Sequence, residues 1–129
     1  METILELFVL LEDRPGSISD LTRLLKKKRI SIFAIGLFID TARLYVSHPE
    51  KALEAIQENN YQSELRKVLR VSLPNREGAL MELTQKLANA NINIKYMYGT
   101  MEESQKRGVI ILEVDNIDLA MDIFKNHRF

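Results

Sequence analysis

Apolar positions in the first half of the chain change their spacing several times, and each change marks a new element. The pattern predicts a strand, a turn, a helix and a two-stranded hairpin, in this order. These elements are the strand Thr3 to Leu11, the turn Asp13-Arg14-Pro15-Gly16, the helix carrying Ile18, Leu21 and Leu25, and the strands Ser31 to Phe38 and Arg43 to Ser47. A second helix is predicted to begin after His48, because Pro49 suits the first helical position, where a missing N–H costs nothing.

The second half of the chain predicts the same succession of elements. Tyr61 to Leu73 supplies the last strand of the first half and the first strand of the second half, which we start at Lys67. The elements that follow are the turn Asn75-Arg76-Glu77-Gly78, the helix carrying Leu80, Leu83 and Leu87, the strands Asn91 to Met101 and Arg107 to Val114, and a last helix capped by Asn116. The chain stops at Phe129, so we expect the fourth strand of the second half to be short or missing.

The two halves are copies of one repeat. One constant shift along the sequence superimposes eight identical residues, which chance seldom produces. The identical pairs are Leu11 and Leu73, Arg14 and Arg76, Gly16 and Gly78, Leu21 and Leu83, Thr22 and Thr84, Leu25 and Leu87, Ile30 and Ile92, and Ile32 and Ile94. A slightly larger shift then places Ala52 on Ala120 and Ile56 on Phe124. The additional residues fall in the hairpin of the second copy, where insertions are well tolerated.

Each copy has the element order of an antiparallel four-stranded sheet with two helices on one face, which is the ferredoxin-like βαββαβ arrangement. The predicted fold class is therefore α+β, with two such units in tandem. No linker separates them, and we place the two units at residues 1–65 and 66–129. A short or missing last strand would leave a sheet edge of the second unit open.

The strands of the first copy are apolar on both faces, which is typical of strands that are buried on both sides. The residues that carry this pattern include Leu5, Leu7, Val9, Phe33 and Leu37. Two helices can cover only one face of a sheet. The sequence therefore predicts a homodimer or a larger assembly, in which another copy of the chain covers the other face.

Composition excludes several classes of function. The 129 residues include no cysteine, two histidines, 18 basic and 18 acidic side chains. Such a chain has no thiolate nucleophile and too few histidines for a histidine-rich metal site. The balanced charge argues against a nucleic-acid or membrane partner, and no apolar run is long enough to span a bilayer. Catalytic constellations and cofactor motifs are absent, so we expect a cytoplasmic protein that is not an enzyme and needs no cofactor.

One loop occurs twice, each time between an apolar strand and the start of a helix. Its glycine, Gly16 or Gly78, would let a ligand approach the backbone closely. Unpaired N–H groups of the first helical turn favour a carboxylate, and the side-chain oxygen of Asp13 or Asn75 would suit an ammonium group. These features match the two ends of a free amino acid. The alternative is structural: Asp13 and Asn75 cap their helices, and the glycines only permit the turn.

The segments Leu11 to Gly16 and Leu73 to Gly78, each followed by a leucine-bearing helix and an Ile-x-Ile strand, resemble the signature of ACT domains. The two matches cover nearly the whole chain. The run Ile94-Lys95-Tyr96-Met97-Tyr98 further resembles small stand-alone tandem-ACT proteins, in which no enzyme domain is attached. The resemblance implies that a free amino acid binds between two ACT units, held by the strand-to-helix loop of one and the second strand of the other. The residues to which it points are Asp13, Arg14, Gly16, Ser17, Ile18, Asn75, Arg76, Gly78, Ala79 and Leu80, with Tyr96 and Tyr98 on the facing strand. One departure is Glu77, which stands where the family usually has proline.

The two loops are expected to be unequal, with the ligand favouring the second. Asn75 is neutral, whereas Asp13 would repel a carboxylate. The two tyrosines also belong to the second copy, and their counterparts in the first are the small Ala34 and Gly36.

Three other interpretations stay open. A regulatory subunit without a ligand would act on a metabolic enzyme through its apolar sheet face. Acylphosphatases share the fold and hold phosphate with an arginine in the same loop, as Arg14 or Arg76 would do, although the glycine-rich consensus around that arginine is missing. An RNA-binding sheet would need aromatic stacking residues on its central strands, and the sequence does not place them in the expected pattern.

Overall fold

Six strands and four helices follow one another in the predicted order in a computed structural model that describes all residues 1–129. The elements are β1 (Glu2–Leu10), α1 (Ser17–Lys27), β2 (Ile32–Phe38), β3 (Thr41–Val46), α2 (Pro49–Glu58), β4 (Ser63–Pro74), α3 (Ala79–Asn89), β5 (Ile94–Thr100), β6 (Arg107–Val114) and α4 (Ile117–Ile123). None of the helices has the length and apolar character needed to cross a membrane.

The strands lie in the order β2-β3-β1-β4-β6-β5. Pairing is antiparallel where β3 meets β1 and β2, and where β6 meets β4 and β5. Around each copy of the repeat this gives the ferredoxin-like succession of strands, so the predicted α+β class with tandem units is confirmed. Antiparallel pairing explains how short hairpins suffice to join β2 to β3 and β5 to β6.

The chain divides into two compact units. One consists of Leu5–Lys67, and the other consists of Met1–Ile4 together with Val68–Phe129. The domain bounds 1–65 and 66–129 stay a prediction. The structure adds that the first four residues are grouped with the second copy of the repeat.

The prediction that the second unit has an open sheet edge is wrong. β1 lies beside β4, in the position that the missing fourth strand of the second copy would have taken. The physical reason is the length of the two strands, since β1 has 9 residues and β4 has 12. Each strand is long enough for one part to belong to one compact unit and the other part to the other unit. Near the start of β1, Glu2 accepts a hydrogen bond from Arg70 of β4 at 3.1 Å within the second unit.

Each unit has its own apolar core on the face of its strands that the helices cover. In the unit Leu5–Lys67, strand residues with a period of two meet helix residues with a period near 3.6. The members of this core include Leu7, Val9, Leu21, Leu25, Ala42, Leu44, Ala52 and Ile56. The core of the other unit includes Leu69, Val71, Leu83, Leu87, Ile110, Leu112, Ala120 and Phe124. Leu7 and Val9 are among the apolar residues for which the sequence predicted a cover by another copy of the chain. In the structure they belong to the core of their own unit.

The remaining apolar residues of that group are exposed. Leu5 exposes 37% of its surface, Phe33 60% and Leu37 53%. Phe33 and Leu37 lie on β2, which ends the strand order, and neighbouring Ile35 is 43% exposed. The surface that could bind another copy therefore follows β2 rather than a whole sheet face.

Candidate functional site

The two strand-to-helix loops end in the same backbone conformation. Gly16 and Gly78 both have φ of 86° and ψ of −11°, the left-handed region that glycine tolerates best. These glycines are the residues that precede α1 and α3, and neither helix has a side-chain cap. The structural alternative in which Asp13 and Asn75 cap their helices is therefore wrong. By contrast, Asn116 does cap α4, because its Oδ1 accepts from the backbone N–H of Leu119 at 3.0 Å.

The first turn of α3 offers two backbone donors. The N–H of Ala79 bonds to the carbonyl of Arg76 at 3.3 Å, and the N–H of Glu82 bonds to that of Gly78 at 2.9 Å. The N–H groups of Leu80 and Met81, which lie between them, have no acceptor in the protein, as is usual in a first helical turn. They are available to an anionic ligand group.

The arginine of each loop is fixed by acidic residues of the chain itself. Arg14 donates to Glu12 at 2.9 Å and to Asp20 at 3.3 Å, and Arg76 donates to Glu82 at 2.8 Å. These hydrogen bonds raise the pKa of both arginines, and Arg76 lowers the pKa of Glu82. Each guanidinium is already neutralised, which disfavours the phosphate-holding role of the acylphosphatase alternative.

Sequence reasoning missed the acidic partners of these arginines. The signal was present, because an acidic residue follows the arginine by the same spacing in both copies, as Asp20 and Glu82. The two ion pairs fix each loop to the first turn of its helix.

Asn75 is held in one orientation by the loop between β5 and β6. Its Nδ2 donates to the carbonyl of Glu102 at 3.0 Å and to that of Gln105 at 2.9 Å, and its backbone N–H donates to Lys106 at 2.8 Å. Carbonyl oxygens only accept, so the amide must present its N–H side to them. The Oδ1 of Asn75 then has no partner in the protein. Asp13, at the same place in the first copy, has no such bonds.

A cavity of about 240 Å³ lies beside the first turn of α3. Its lining is apolar and sulfur-bearing, formed by Leu80, Met97, Met101 and Ile110, and it also includes Tyr98. The structure thus brings together two of the residues expected at the site, Leu80 and Tyr98. Sequence reasoning missed the two methionines, because methionines on a strand indicate only a packed surface.

Tyr96 and Tyr98 form a parallel pair on β5. Their ring centroids are 6.4 Å apart and the ring planes differ by 7°. Met97 lies between them in sequence and packs against the apolar core of its unit, so the tyrosine side chains lie on the face away from the helices.

The expected residues of the first copy are divided among different surroundings. Arg14 and Ser17 line a larger cavity of about 420 Å³. Gly16 and Ile18 are outside that cavity, and Asp13 is exposed. The surroundings of the two loops therefore differ, and the expected preference of the ligand for the second loop stays a prediction.

A family model for the ACT domain pair matches residues 2–129 of the chain. The chain belongs to the ACT domain pair family. The resemblance that the two loops carried is thereby confirmed over nearly the whole sequence. Among curated proteins, none matches the sequence significantly.

Solved structures share the fold of this ACT domain pair. The protein BT0572 from Bacteroides thetaiotaomicron has a TM-score of 0.87 at 27% identity, covering 95% of this chain and 87% of that chain. The ligand-free regulatory subunit of aspartate kinase from Thermus thermophilus has a TM-score of 0.68 at 17% identity, covering 98% and 97%. For the same subunit from Thermus flavus, the TM-score is 0.67 at 15% identity, covering 97% and 94%. Because the two kinase subunits are only 17% and 15% identical to this chain, the similarity to them shows a shared fold and nothing more.

Proposed function

We propose that this ACT domain pair is a regulatory protein, not an enzyme, that binds a free amino acid at the loop preceding α3. The family match and the fold shared with two aspartate kinase regulatory subunits support a regulatory role. The observation that carries the proposal is the orientation of Asn75. Two backbone carbonyls hold its N–H groups, so Oδ1 is left to accept a hydrogen bond from an ammonium group.

The carboxylate of the same ligand would bind the start of α3. The free N–H groups of Leu80 and Met81 and the positive end of the helix dipole both favour an anion there. A Cβ built on Gly78 would meet nothing within 4 Å, so the space in front of the loop is open. Arg76 takes no part in this contact, because Glu82 already binds its guanidinium.

The side chain of the amino acid would enter the cavity beside Leu80. Met97, Met101 and Ile110 make that cavity apolar, and its volume of about 240 Å³ suits a single side chain. We therefore propose that the ligand has an apolar side chain, such as that of leucine, isoleucine or methionine.

A second copy of the chain would complete the assembly along β2. The exposed Phe33, Ile35 and Leu37 form an uncharged edge that would bury its apolar area against the same edge of another copy. The family resemblance implies that a strand from one ACT unit faces the loop of another. Tyr96 and Tyr98 on β5 are the residues that we propose for this role.

Thermal unfolding in the presence of each of the twenty amino acids tests the proposal. We expect one or a few apolar amino acids to raise the melting temperature, because a ligand that binds the folded state stabilises it. Failure of all twenty would overturn ligand binding and favour a regulatory subunit that acts without a ligand.

Calorimetric titration of Gly78→Val and Gly16→Val with the most stabilising amino acid then locates the site. The valine at residue 78 should abolish binding by blocking approach to the loop, while the valine at residue 16 should mainly reduce stability. Equal loss of binding in both variants would show two equivalent sites. Unchanged binding in Gly78→Val would place the site elsewhere.

A further inference from the structure

Four consecutive cations surround the end of α1, and none of them has an acidic partner. This basic cluster consists of Lys26, Lys27, Lys28 and Arg29. All four residues are exposed, and their side chains take part in no ion pair or hydrogen bond of the protein. Successive helical residues point about 100° apart, so such a run surrounds the end of the helix and does not form a stripe along one face.

The second copy of the repeat ends its helix in the same geometry without these charges. Its residues 88–91, Ala-Asn-Ala-Asn, occupy the places of the basic cluster. The backbone N–H of Arg29 or Asn91 donates to the carbonyl three residues earlier, at 3.0 and 2.9 Å. The N–H of Ile30 or Ile92 then donates to the carbonyl five residues earlier, at 3.0 Å in both copies. The helix end therefore forms without cations.

The helix dipole does not account for the basic cluster either. A cation near a helix C-terminus stabilises the helix, but α2 and α4 have no basic residue in the last turn. The last turn of α3 has one, Lys86. The fold thus manages with one cation or none at a helix end, and most of the charge of the basic cluster has no use within the protein.

Arg29 holds its charge in an unfavourable backbone conformation. Its φ is 58°, and that of its counterpart Asn91 is 57°. Asparagine adopts this left-handed region more readily than arginine, because its short polar side chain can bond to the nearby backbone. The first copy therefore carries the less suitable residue where the second copy carries a suitable one. Strain of this kind is typical of positions that serve a function.

The charge of the rest of the chain indicates the kind of partner. Removing the basic cluster from the 18 basic side chains leaves 14, against 18 acidic ones. A nucleic acid or an anionic membrane extends well beyond one helix end, so it would also approach this net negative remainder. A short acidic segment of a protein would contact the basic cluster alone.

We propose that the basic cluster is a docking surface for an acidic segment of a partner protein, a run of aspartate or glutamate residues. The planar guanidinium of Arg29 binds one carboxylate through two N–H groups, and the three lysines bind neighbouring carboxylates as point charges. This surface is at the end of α1, so docking does not depend on amino-acid binding at the loop preceding α3.

Fluorescence anisotropy of a labelled oligoglutamate peptide, titrated with the full chain, tests the proposal. The main variant gives the first copy the residues of the second: Lys26→Ala, Lys27→Asn, Lys28→Ala and Arg29→Asn. It should fold, because α3 ends with these residues, and its dissociation constant should be about ten-fold higher. Arg29→Asn alone should weaken peptide binding without lowering the urea midpoint, because asparagine suits the left-handed position. This second variant separates the loss of a contact from the loss of the fold.

A control variant has the same net charge as the main variant. It replaces four exposed lysines that form no ion pair, as Lys51→Ala, Lys67→Ala, Lys95→Ala and Lys125→Ala. Its affinity for oligoglutamate should equal that of the unmodified chain. The proposal is overturned if both four-residue variants weaken binding equally, or if the main variant or Arg29→Asn binds as before. Tighter binding of a single-stranded oligonucleotide than of oligoglutamate would also overturn it, in favour of a nucleic acid.

The same main variant keeps the two proposals of amino-acid binding and docking apart. Its melting temperature should still rise with the amino acid that stabilises the unmodified chain, because the loop preceding α3 is unchanged. Loss of that response together with the loss of peptide binding would overturn the independence of the docking surface. Failure of all twenty amino acids with intact peptide binding would overturn the proposed amino-acid site and support the docking surface.

Discussion

Replacing Asn75 with aspartate would test how firmly the loop before α3 is attached to its neighbour. The Nδ2 of Asn75 donates to the carbonyls of Glu102 and Gln105, at 3.0 and 2.9 Å. Aspartate would place acceptor oxygens against two other acceptors. Each hydrogen bond contributes about 0.5–1.5 kcal/mol, so losing two predicts a reduction of about 1–3 kcal/mol in the free energy of unfolding. Because the contacts are at the surface, we expect about 1–2 kcal/mol.

Urea denaturation measures this change, and Asp13→Asn is the matched control. Asp13 has the same place in the first copy but no such bonds, so its free energy of unfolding should change by less than about 0.5 kcal/mol. Hydrogen exchange gives a second measurement. The backbone N–H of residue 75, which donates to the carbonyl of Lys106 at 2.8 Å, should exchange faster in Asn75→Asp. An unchanged unfolding free energy for Asn75→Asp, or an equal loss for Asp13→Asn, would refute this reasoning.

Three further predictions concern the hairpin, the assembly and an ion pair. A Cβ on Gly99 would lie 2.4 Å from the carbonyl oxygen of Val109, so Gly99→Ala should cost about 1–3 kcal/mol in urea denaturation; a neutral result would contradict the close approach. Light scattering should show that Leu37→Lys converts an assembly into monomers. If the unmodified chain is already monomeric at micromolar concentration, the proposed contact along β2 is wrong. Arg76 holds the pKa of Glu82 below 4.5, so the ion pair stabilises the fold above pH 4.5 and is lost as the pH falls through the folded-state pKa. Glu82→Gln should remove this part of the acid dependence of unfolding, and an identical pH profile would contradict it.

The repeat made most of the fold predictable. Identical residues at one constant shift located α1, α3 and both glycine turns, and the element order predicted the α+β fold class. The element order did not predict that β1 lies beside β4 in a six-stranded order. The role of Gly16 and Gly78 as left-handed residues could be predicted because the turn requires a positive φ that few other residues adopt.

Contacts between distant segments could not be predicted. Asn75 was expected to cap a helix or meet a ligand, but its Nδ2 binds a loop far along the chain, within the insertion that the first copy lacks. No local pattern encodes such a partner.

The grouping of Met1–Ile4 with Val68–Phe129 means that the two copies are not interchangeable modules. A recombination point near residue 66 would transfer the second copy without the strand residues that complete its compact unit. Such a fragment would keep the loop Asn75–Gly78 but lack the segment in which Glu2 accepts a hydrogen bond from Arg70. Exchange of the second copy between members of this family by protein engineering should therefore use the whole chain, or graft Met1–Ile4 onto the transferred half.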